Sequence, residues 1–219
     1  MRWIDKLDRR FGRFAIHDLM MAVVIGQAVV FLADFFLPGL GIWSSLALNM
    51  SAVLQGEIWR VITFIFVPAS STPLSLLFTL YLLWLIGHTL EQSWGDFRFN
   101  VYYFLGVIGA ILAAAITGWG TTYYLNLSLF FAFAMLYPDM PLLLFFIIPI
   151  KVKWLALFAG ALCLFSLIFG SWADRACVLF SFLNFLLFFG GDFWRMAKQE
   201  IRYAQNRRAW RNSNNNRWR

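Results

Sequence analysis

The chain has 219 residues, of which 61% are hydrophobic and 13% charged, and its mean hydropathy is +0.69. Soluble domains are about 25% charged, so this composition excludes a soluble globular protein and predicts an integral membrane protein. The formal net charge of +7 is concentrated at the two ends of the chain, in residues 1–13 and 195–219. Since it does not line a groove, no nucleic acid is expected as a partner.

Six apolar segments along the chain predict membrane spans. They lie at residues 18–37, 73–90, 99–118, 123–137, 154–170 and 174–190. The chain is accordingly divided into an amphipathic cytoplasmic N-terminus (1–17), one membrane domain (18–192) and a basic cytoplasmic tail (193–219). The predicted fold class is all-α, with no separate soluble domain.

Lysine and arginine residues are distributed unequally between the two sides that six spans define. They occur in the N-terminal segment, between spans two and three, between spans four and five, and throughout the tail. The other side holds little beyond Arg60 and Arg175. The positive-inside rule therefore predicts that both termini are cytoplasmic.

Two connections between the predicted spans are themselves apolar. Residues 39–72, between spans one and two, are too interrupted by polar residues to cross a bilayer and too apolar for water, which predicts an amphipathic segment in the bilayer interface. Residues 142–150 are too short to cross and are followed by Lys151 and Lys153. They predict an interfacial or re-entrant stretch, or an extension of a neighbouring span.

The residues that could carry catalysis or bind a metal are few. Cys163 and Cys177 lie in apolar stretches without metal-type spacing, so neither a disulfide, a metal site nor a cofactor is expected. His17 and His88 are the two histidines, and the predicted topology puts both at the cytoplasmic edge. A serine at the opposite end of a span would be up to about 30 Å away, beyond the reach of a general base.

An ordered series of motifs resembles the rhomboid superfamily, which contains intramembrane proteases and derlins. The motifs follow one another in the order that this superfamily shows: Trp59-Arg60, Leu76-Leu77-Phe78, Gly87, Glu91, Gly95 and Arg98-Phe99. In addition, residues 137–155 closely resemble bacterial rhomboids after their fourth span. The resemblance implies a rhomboid-like fold of six transmembrane helices, with the interfacial loop between helices one and two.

The positions that match the protease site of rhomboids depart from the protease pattern. The Gly-x-Ser-Gly motif at the start of the fourth span falls on residues 121–124, so Tyr123 occupies the nucleophile position. Asp174 occupies the position of the general-base histidine. Ser75 and Thr79 match the residues that help to bind the oxyanion, and their hydroxyl groups could still donate hydrogen bonds. The resemblance therefore implies a proteolytically inactive member.

The other motif residues are assigned non-catalytic roles. Trp59 and Arg60 are predicted to contact lipid or a client protein. Glu91, Gly95 and Arg98 are predicted to tie together and orient the short loop between spans two and three.

Two further patterns concern helix ends and helix contacts. Asp174 begins the sixth predicted span beside Arg175, where an interfacial helix cap and a functional ion pair are both compatible with the sequence. Small residues at Gly106, Gly109 and Ala113 predict close approach of helices in lipid.

By resemblance to non-proteolytic rhomboid-like proteins, the predicted function is binding of transmembrane segments of client proteins for holding, escort or quality control. The expected partners are membrane lipids and such clients, and the expected location is a bacterial inner membrane. Two alternatives remain open. One is an intramembrane serine protease with a displaced nucleophile, for which Ser128 is the candidate; the other is a small membrane transporter, which would need broken spans and an internal repeat.

Overall fold

A computed structural model describes residues 12, 15–70, 72–144, 148–180 and 182–188 of the chain. These residues are mostly helical. Two single-turn 3₁₀ helices lie at Pro38–Leu40 and Phe64–Phe66, and residues 172–180 and 182–188 are also α-helical. The remaining helices are α1 (Leu19–Phe36), α2 (Ile42–Leu46), α3 (Met50–Leu54), α4 (Arg60–Thr63), α5 (Pro73–Trp94), α6 (Asp96–Thr117), α7 (Tyr123–Leu136) and α8 (Val152–Phe169).

Four helices in the described part of the chain are long and apolar enough to cross a membrane, namely α1, α5, α6 and α8. Helix α7 is apolar as well but has 14 residues, which makes it about 21 Å long at the usual rise per residue. The prediction of a multi-pass helical membrane protein is confirmed at this level. The predicted N-terminus up to residue 11 and the tail 193–219 lie outside the described residues.

Helices α5 and α6 extend further than the predicted spans. Helix α5 continues to Trp94 and α6 begins at Asp96, so Gly95 alone separates them. Its φ of +82° lies in the region that glycine adopts without a steric penalty. The predicted spans stop at the first polar residues, whereas the helices continue through them. At the membrane interface the side chains of these residues can reach water and neighbouring polar groups, so the helix does not have to end there.

Two small antiparallel sheets, which the sequence did not predict, accompany the helices of this mostly helical fold. Strand β1 (Leu48–Asn49) pairs with β2 (Trp119–Gly120), and β3 (Pro141–Leu144) forms a hairpin with β4 (Ile148–Lys151). The hairpin occupies the run at 142–150. A short apolar run does not reveal its own secondary structure by periodicity, and here the strands satisfy each other's backbone groups.

The core lies where α1, α5, α6 and α7 pack against one another. Aromatic and aliphatic side chains from all four helices are almost completely buried there: Met20, Leu90, Phe99, Tyr102, Tyr103, Leu129 and Phe133. Helix α8 is different, since only 11% of its residues are buried. It contacts mainly α7 and β4 and presents most of its apolar surface outward.

Buried polar side chains attach α1 to the rest of the bundle. Glu91 accepts a hydrogen bond from the backbone N–H of Leu19 at 3.0 Å. Gln27, which is 1% exposed, donates to the carbonyl of Ile65 at 3.0 Å. Because an unpaired polar group is costly in an apolar environment, these bonds favour one position of α1 along the bundle.

The turns between helices collect at two ends of the bundle. The hairpin end contains the start of α1, the α5–α6 turn and the β3–β4 hairpin; there Ser93 and Tyr137 hydrogen-bond at 2.8 Å. The loop end contains residues 37–72, the α6–α7 turn and the start of the helical residues 172–180. The four positions that match the protease site lie at or near the loop end: Ser75, Thr79, Tyr123 and Asp174.

Candidate functional site

Residues 37–72 fold onto the loop end of the bundle. The β1–β2 pairing places Leu48 opposite Gly120, and Met50 donates its N–H to the carbonyl of Gly118 at 2.9 Å. A Cβ atom at Gly120 would lie 2.3 Å from Leu48 Cδ2, so glycine is required for this close contact. The loop is thereby joined to the turn that precedes α7.

Arg60 organises the interior of this loop. It is 9% exposed, and its Nη1 donates to the carbonyls of Ser44 at 2.5 Å and Ala47 at 2.9 Å, while its Nε donates to the carboxylate of Glu57. Charge-assisted bonds of this kind are stronger than neutral ones. Arg60 therefore positions α4 against α2 and the residues before β1.

Trp59 points the other way. It is 53% exposed, and it is accompanied by other exposed apolar side chains of the loop: Leu54, Ile58 and Ile62. We call these four residues the loop patch. Of the pair predicted to contact lipid or a client, Trp59 presents its side chain outward and Arg60 keeps its side chain inside the loop.

A groove of about 320 Å³ runs between the loop and the α6–α7 turn. Its lining is mainly apolar and aromatic, with hydroxyl groups only near the start of α7: Trp43, Leu48, Phe64, Pro68, Trp119, Thr121, Thr122 and Tyr123. Tyr123, at the nucleophile position, is the first residue of α7 and is 53% exposed. The groove offers an apolar surface beside a phenol.

Asp174, at the base position, caps the helical residues that follow Ser171. Its Oδ2 accepts from Ser171 N–H at 3.2 Å and from Ser171 Oγ at 2.8 Å, and its own N–H donates to Ser171 Oγ at 3.3 Å. This reciprocal arrangement is a capping box. The Tyr124 hydroxyl donates to the remaining oxygen, Oδ1, at 3.4 Å. Both oxygens of Asp174 therefore accept hydrogen bonds, and the helix-cap interpretation describes the observed contacts.

The two hydroxyl groups at the oxyanion positions belong to a short chain of hydroxyls at the loop end. Ser75 Oγ donates to Ser70 Oγ at 3.2 Å, and Ser70 and Thr79 hydrogen-bond at 3.1 Å. Ser75 is exposed and Thr79 is partly buried. Ser75 and Thr79 lie in the first two turns of α5, and Ser70, which precedes the helix, links their hydroxyls.

Ser128 lies inside the bundle, one and a half turns beyond Tyr123. It is 1% exposed, and its hydroxyl is 2.8 Å from the hydroxyl of Tyr102. Beside it is a cavity of about 20 Å³, room for about one water molecule. Asn184 also lines this cavity and donates Nδ2 to the Tyr102 carbonyl at 3.3 Å.

Both histidines lie at the hairpin end. His17 pairs with Asp96, and His88 Nε2 is 2.9 Å from Gln92 Nε2. Helix α6 connects the two ends and is about 33 Å long by its residue count. The histidines and Tyr123 are therefore near opposite ends of the bundle, as the predicted spans suggested.

The motif residues of the α5–α6 turn form two kinds of contact. Gly95 donates its N–H to the carbonyl of Glu91 at 2.9 Å and accepts from Phe99 N–H at 3.2 Å, so it ends one helix and begins the next. The Glu91 side chain instead bonds to Leu19 of α1. Sequence reasoning missed this second partner because it is 72 residues away along the chain.

A comparison with protein families matches residues 55–183 to the Rhomboid domain, which covers more than half of the chain. No curated protein gives a significant match. The matched range begins just before Trp59-Arg60 and contains α5 to α8 together with Tyr123 and Asp174. Motif order, helical membrane architecture and family match therefore agree, and the chain is a member of the rhomboid family.

Proposed function

We propose that this protein is a rhomboid-family member that binds transmembrane segments of client proteins without cleaving them. It has six spans, with helical residues 172–180 and 182–188 in the sixth, and both termini are cytoplasmic. Its location is a bacterial inner membrane, and its work is holding, escort or quality control of clients.

The bonding of Asp174 is the observation that carries the loss of proteolysis. A serine hydrolase needs a base that accepts the proton of its nucleophile. At the base position, both carboxylate oxygens already accept hydrogen bonds from Ser171 and Tyr124. At the nucleophile position stands the phenol of Tyr123, which is not a hydroxyl that rhomboid chemistry employs.

A displaced nucleophile at Ser128 is less well supported. Its side chain is buried in α7 and its hydroxyl bonds to Tyr102. Among the described residues, neither histidine nor lysine is hydrogen-bonded to it. A peptide bond would have to enter a cavity of about 20 Å³ to reach this hydroxyl.

Client binding is supported by the dimensions and exposed surfaces of the bundle. Helix α7 is about 9 Å shorter than the usual thickness of a bilayer core. The loop patch and the outer face of α8 present apolar side chains that no described residue covers. A bundle with a short central helix and a half-immersed loop would perturb nearby lipid and lower the cost of sideways movement of a client helix.

Fluorophosphonate labelling of the purified protein in detergent is the first test. An active rhomboid and a permissive transmembrane substrate serve as the positive control. We expect neither labelling nor cleavage. Labelling that disappears in Ser128→Ala, together with cleavage of the substrate, would identify a protease with an unusual base and end the proposal.

Client capture tests the binding function directly. A single-span protein with a photo-crosslinker at mid-membrane is reconstituted with the full chain in lipid vesicles. We expect crosslinks that Trp59→Ala reduces and Trp154→Ala leaves unchanged; Trp154 is a matched control because it is 60% exposed and lies at the hairpin end. Equal crosslinking by all three proteins would contradict a role for the loop patch.

A further inference from the structure

Three potential metal ligands meet at the hairpin end of the bundle. Asp18, His88 and Glu91 each offer one ligand atom, and these atoms all lie within 4.8 Å of one another. Tetrahedral ligands at about 2.0–2.3 Å from an ion lie about 3.3–3.8 Å from one another, so side-chain rotations that close the cluster by about 1 Å would let one ion contact all three. The cluster is far from the loop-end groove and does not depend on the proposed function.

The fold brings these ligands together from two helices. His88 and Glu91 are three residues apart on α5 and therefore lie on the same helix face. Asp18 directly precedes α1 and has a φ of +52°, the only positive φ of a non-glycine residue among those described. Aspartate is one of the few residues that adopt this conformation readily. The α1–α5 contact then sets Asp18 beside the α5 pair.

Glu91 provides the second observation, because one of its oxygens lacks a partner. The residue is 4% exposed; Oε1 accepts the N–H of Leu19, while Oε2 has no hydrogen-bond partner within the described ranges. A buried polar atom left unbonded is destabilising, and a buried charge needs a counter-charge. A cation held by the cluster would give Oε2 a bonding partner and would balance the charge of the carboxylate.

The ion pairs of the described residues leave both carboxylates of the cluster, Asp18 and Glu91, without a lysine or arginine partner. Asp96 adds a third carboxylate nearby and is bonded to His17. Among the described residues, the ionisable neighbours of Glu91 are Asp18, Asp96 and His88, which are ligands rather than competitors for a divalent cation.

His88 has the supports that a ligand requires. Its ring stacks on Trp84 with a centroid distance of 5.5 Å, and its Nε2 is 2.9 Å from the amide of Gln92. The nitrogen and oxygen of a glutamine amide can exchange places, and with Oε1 of Gln92 facing the ring His88 Nε2–H donates to it and leaves Nδ1 as the ligand atom. The ring is thus held in place before any ion binds.

We propose that Asp18, His88 and Glu91 bind a divalent transition-metal ion of the Zn²⁺ type, which fastens the start of α1 to the end of α5. One imidazole with two carboxylates suits Zn²⁺, whereas Mg²⁺ and Ca²⁺ prefer oxygen ligands alone. The two carboxylates neutralise the ion. Solvent can complete the tetrahedral shell, because Asp18 is exposed.

The test is metal binding by the full-length protein in detergent, after removal of any affinity tag and treatment with a chelator. Calorimetric titration with Zn²⁺ should give one site per chain, and Co²⁺ should give the visible absorption bands of a tetrahedral complex. His88→Gln, Asp18→Asn and Glu91→Gln should each weaken binding at least about tenfold. Glu91→Gln keeps an acceptor for the Leu19 N–H, so it separates loss of charge from loss of that bond.

His17→Gln is the matched control, since it removes the other histidine and leaves the cluster intact. We expect it to bind Zn²⁺ like the unmodified protein, and Zn²⁺ to raise the thermal unfolding temperature of both. The three ligand variants should fold without Zn²⁺ and show no such rise. Unchanged Zn²⁺ affinity in the ligand variants, or equal stabilisation by Mg²⁺, would overturn the proposal.

Discussion

At Gly87 the lack of a side chain allows α1 and α5 to touch. A Cβ atom there would lie 2.0 Å from Cγ and 2.8 Å from Cβ of Met20, which is completely buried. Close approach over small residues is the usual way in which helices associate in lipid, where the hydrophobic effect between helices is absent. The same contact brings Asp18 towards His88 and Glu91.

Gly87→Ala should therefore destabilise the protein although alanine is the better helix former. Overpacking of a buried contact costs about 1–3 kcal/mol, and the near part of Met20 cannot move aside without displacing its helix. Gly109→Ala is the matched control, because its Cβ would meet Phe180 atoms at 3.7 Å, an ordinary contact distance. Thermal unfolding in detergent followed by circular dichroism measures both.

Removal of the Met20 side chain should relieve the clash at position 87. Met20→Ala in the Gly87→Ala background should restore part of the lost stability, because it removes the clashing atoms. If Gly87→Ala and Gly109→Ala unfold at the same temperature, the α1–α5 crossing is not as close as described.

Individual residues were predictable from sequence only in part. The small-residue pattern predicted close contacts at Gly106 and Gly109, and a Cβ would clash only at the first, 2.3 Å from Leu125 Cδ1. Arg60 was predicted to face lipid or a client, and its side chain bonds to carbonyls 16 and 13 residues earlier. Every residue has a carbonyl, so such bonds leave no sequence pattern.

Among the elements, the β3–β4 hairpin is joined to its preceding turn by charge. Asp139 Oδ1 is 3.3 Å from Lys151 Nζ and 2.8 Å from Lys153 Nζ. The hydrogen bonds from Lys153 and Lys151 hold the pKa of the Asp139 carboxyl below its ordinary value. The folded hairpin thus binds the ionised carboxylate in preference to the neutral acid.

The stability that this carboxylate provides should depend on pH. A depressed folded-state pKa means that the contribution is complete above the unfolded pKa of about 4 and is lost as the pH falls through the lower, folded value. The unfolding temperature of Asp139→Asn should therefore be slightly below that of the unmodified protein near neutral pH. Scans at decreasing pH should bring the two values together.

Salt provides the control for this pH effect. The pair is exposed to water, so high ionic strength should reduce the difference at neutral pH as well. A difference that survived in strong acid and in high salt would assign the effect of the substitution to backbone or packing changes instead of charge.

The order and approximate positions of the long helices were predictable, because each is an apolar segment that a sequence window detects by itself. The small sheets were not. Residues 142–150 gave a short apolar run that fits several structures, and β1 finds its partner β2 across α5 and α6. Pairing over such a separation depends on the packed helices between the strands.

For the molecule as a whole, the two ends of the bundle predict a topology. The positive-inside rule assigns the hairpin end to the cytoplasm and the loop end to the opposite side. Fusions of green fluorescent protein after residue 140 and after residue 219 should fluoresce, since that protein folds in the cytoplasm. Alkaline phosphatase inserted after residue 56 should be active, because it requires the periplasm.

Each reporter is the control for the other at the same position. A fusion site that is active with alkaline phosphatase should be dark with green fluorescent protein, and the reverse. Phosphatase activity of the fusion after residue 140 would mean that the orientation of the bundle is the reverse of the one predicted. Activity of the fusion after residue 219 alone would mean an odd number of spans.

Family membership was predictable from ordered motifs, and the family match confirms it. Activity is a separate matter, because one fold carries many functions and the function depends on the side chains of the site. The metal cluster shows the limit of motif reasoning. A search of cysteine spacing predicts no metal site, while His88-x-x-Glu91 on one helix face was a visible signal whose third member, Asp18, only the fold supplies.

The β1–β2 pairing also sets an order of events during synthesis. Leu48 leaves the ribosome 72 residues before its partner Gly120, which at the usual rate of translation is a delay of roughly 4–14 s. During that time α5 and α6 have to enter the membrane while the apolar loop has no anchor. Assembly of the loop end is therefore a late step, and the nascent loop depends on the lipid surface or a chaperone until α6 has been inserted.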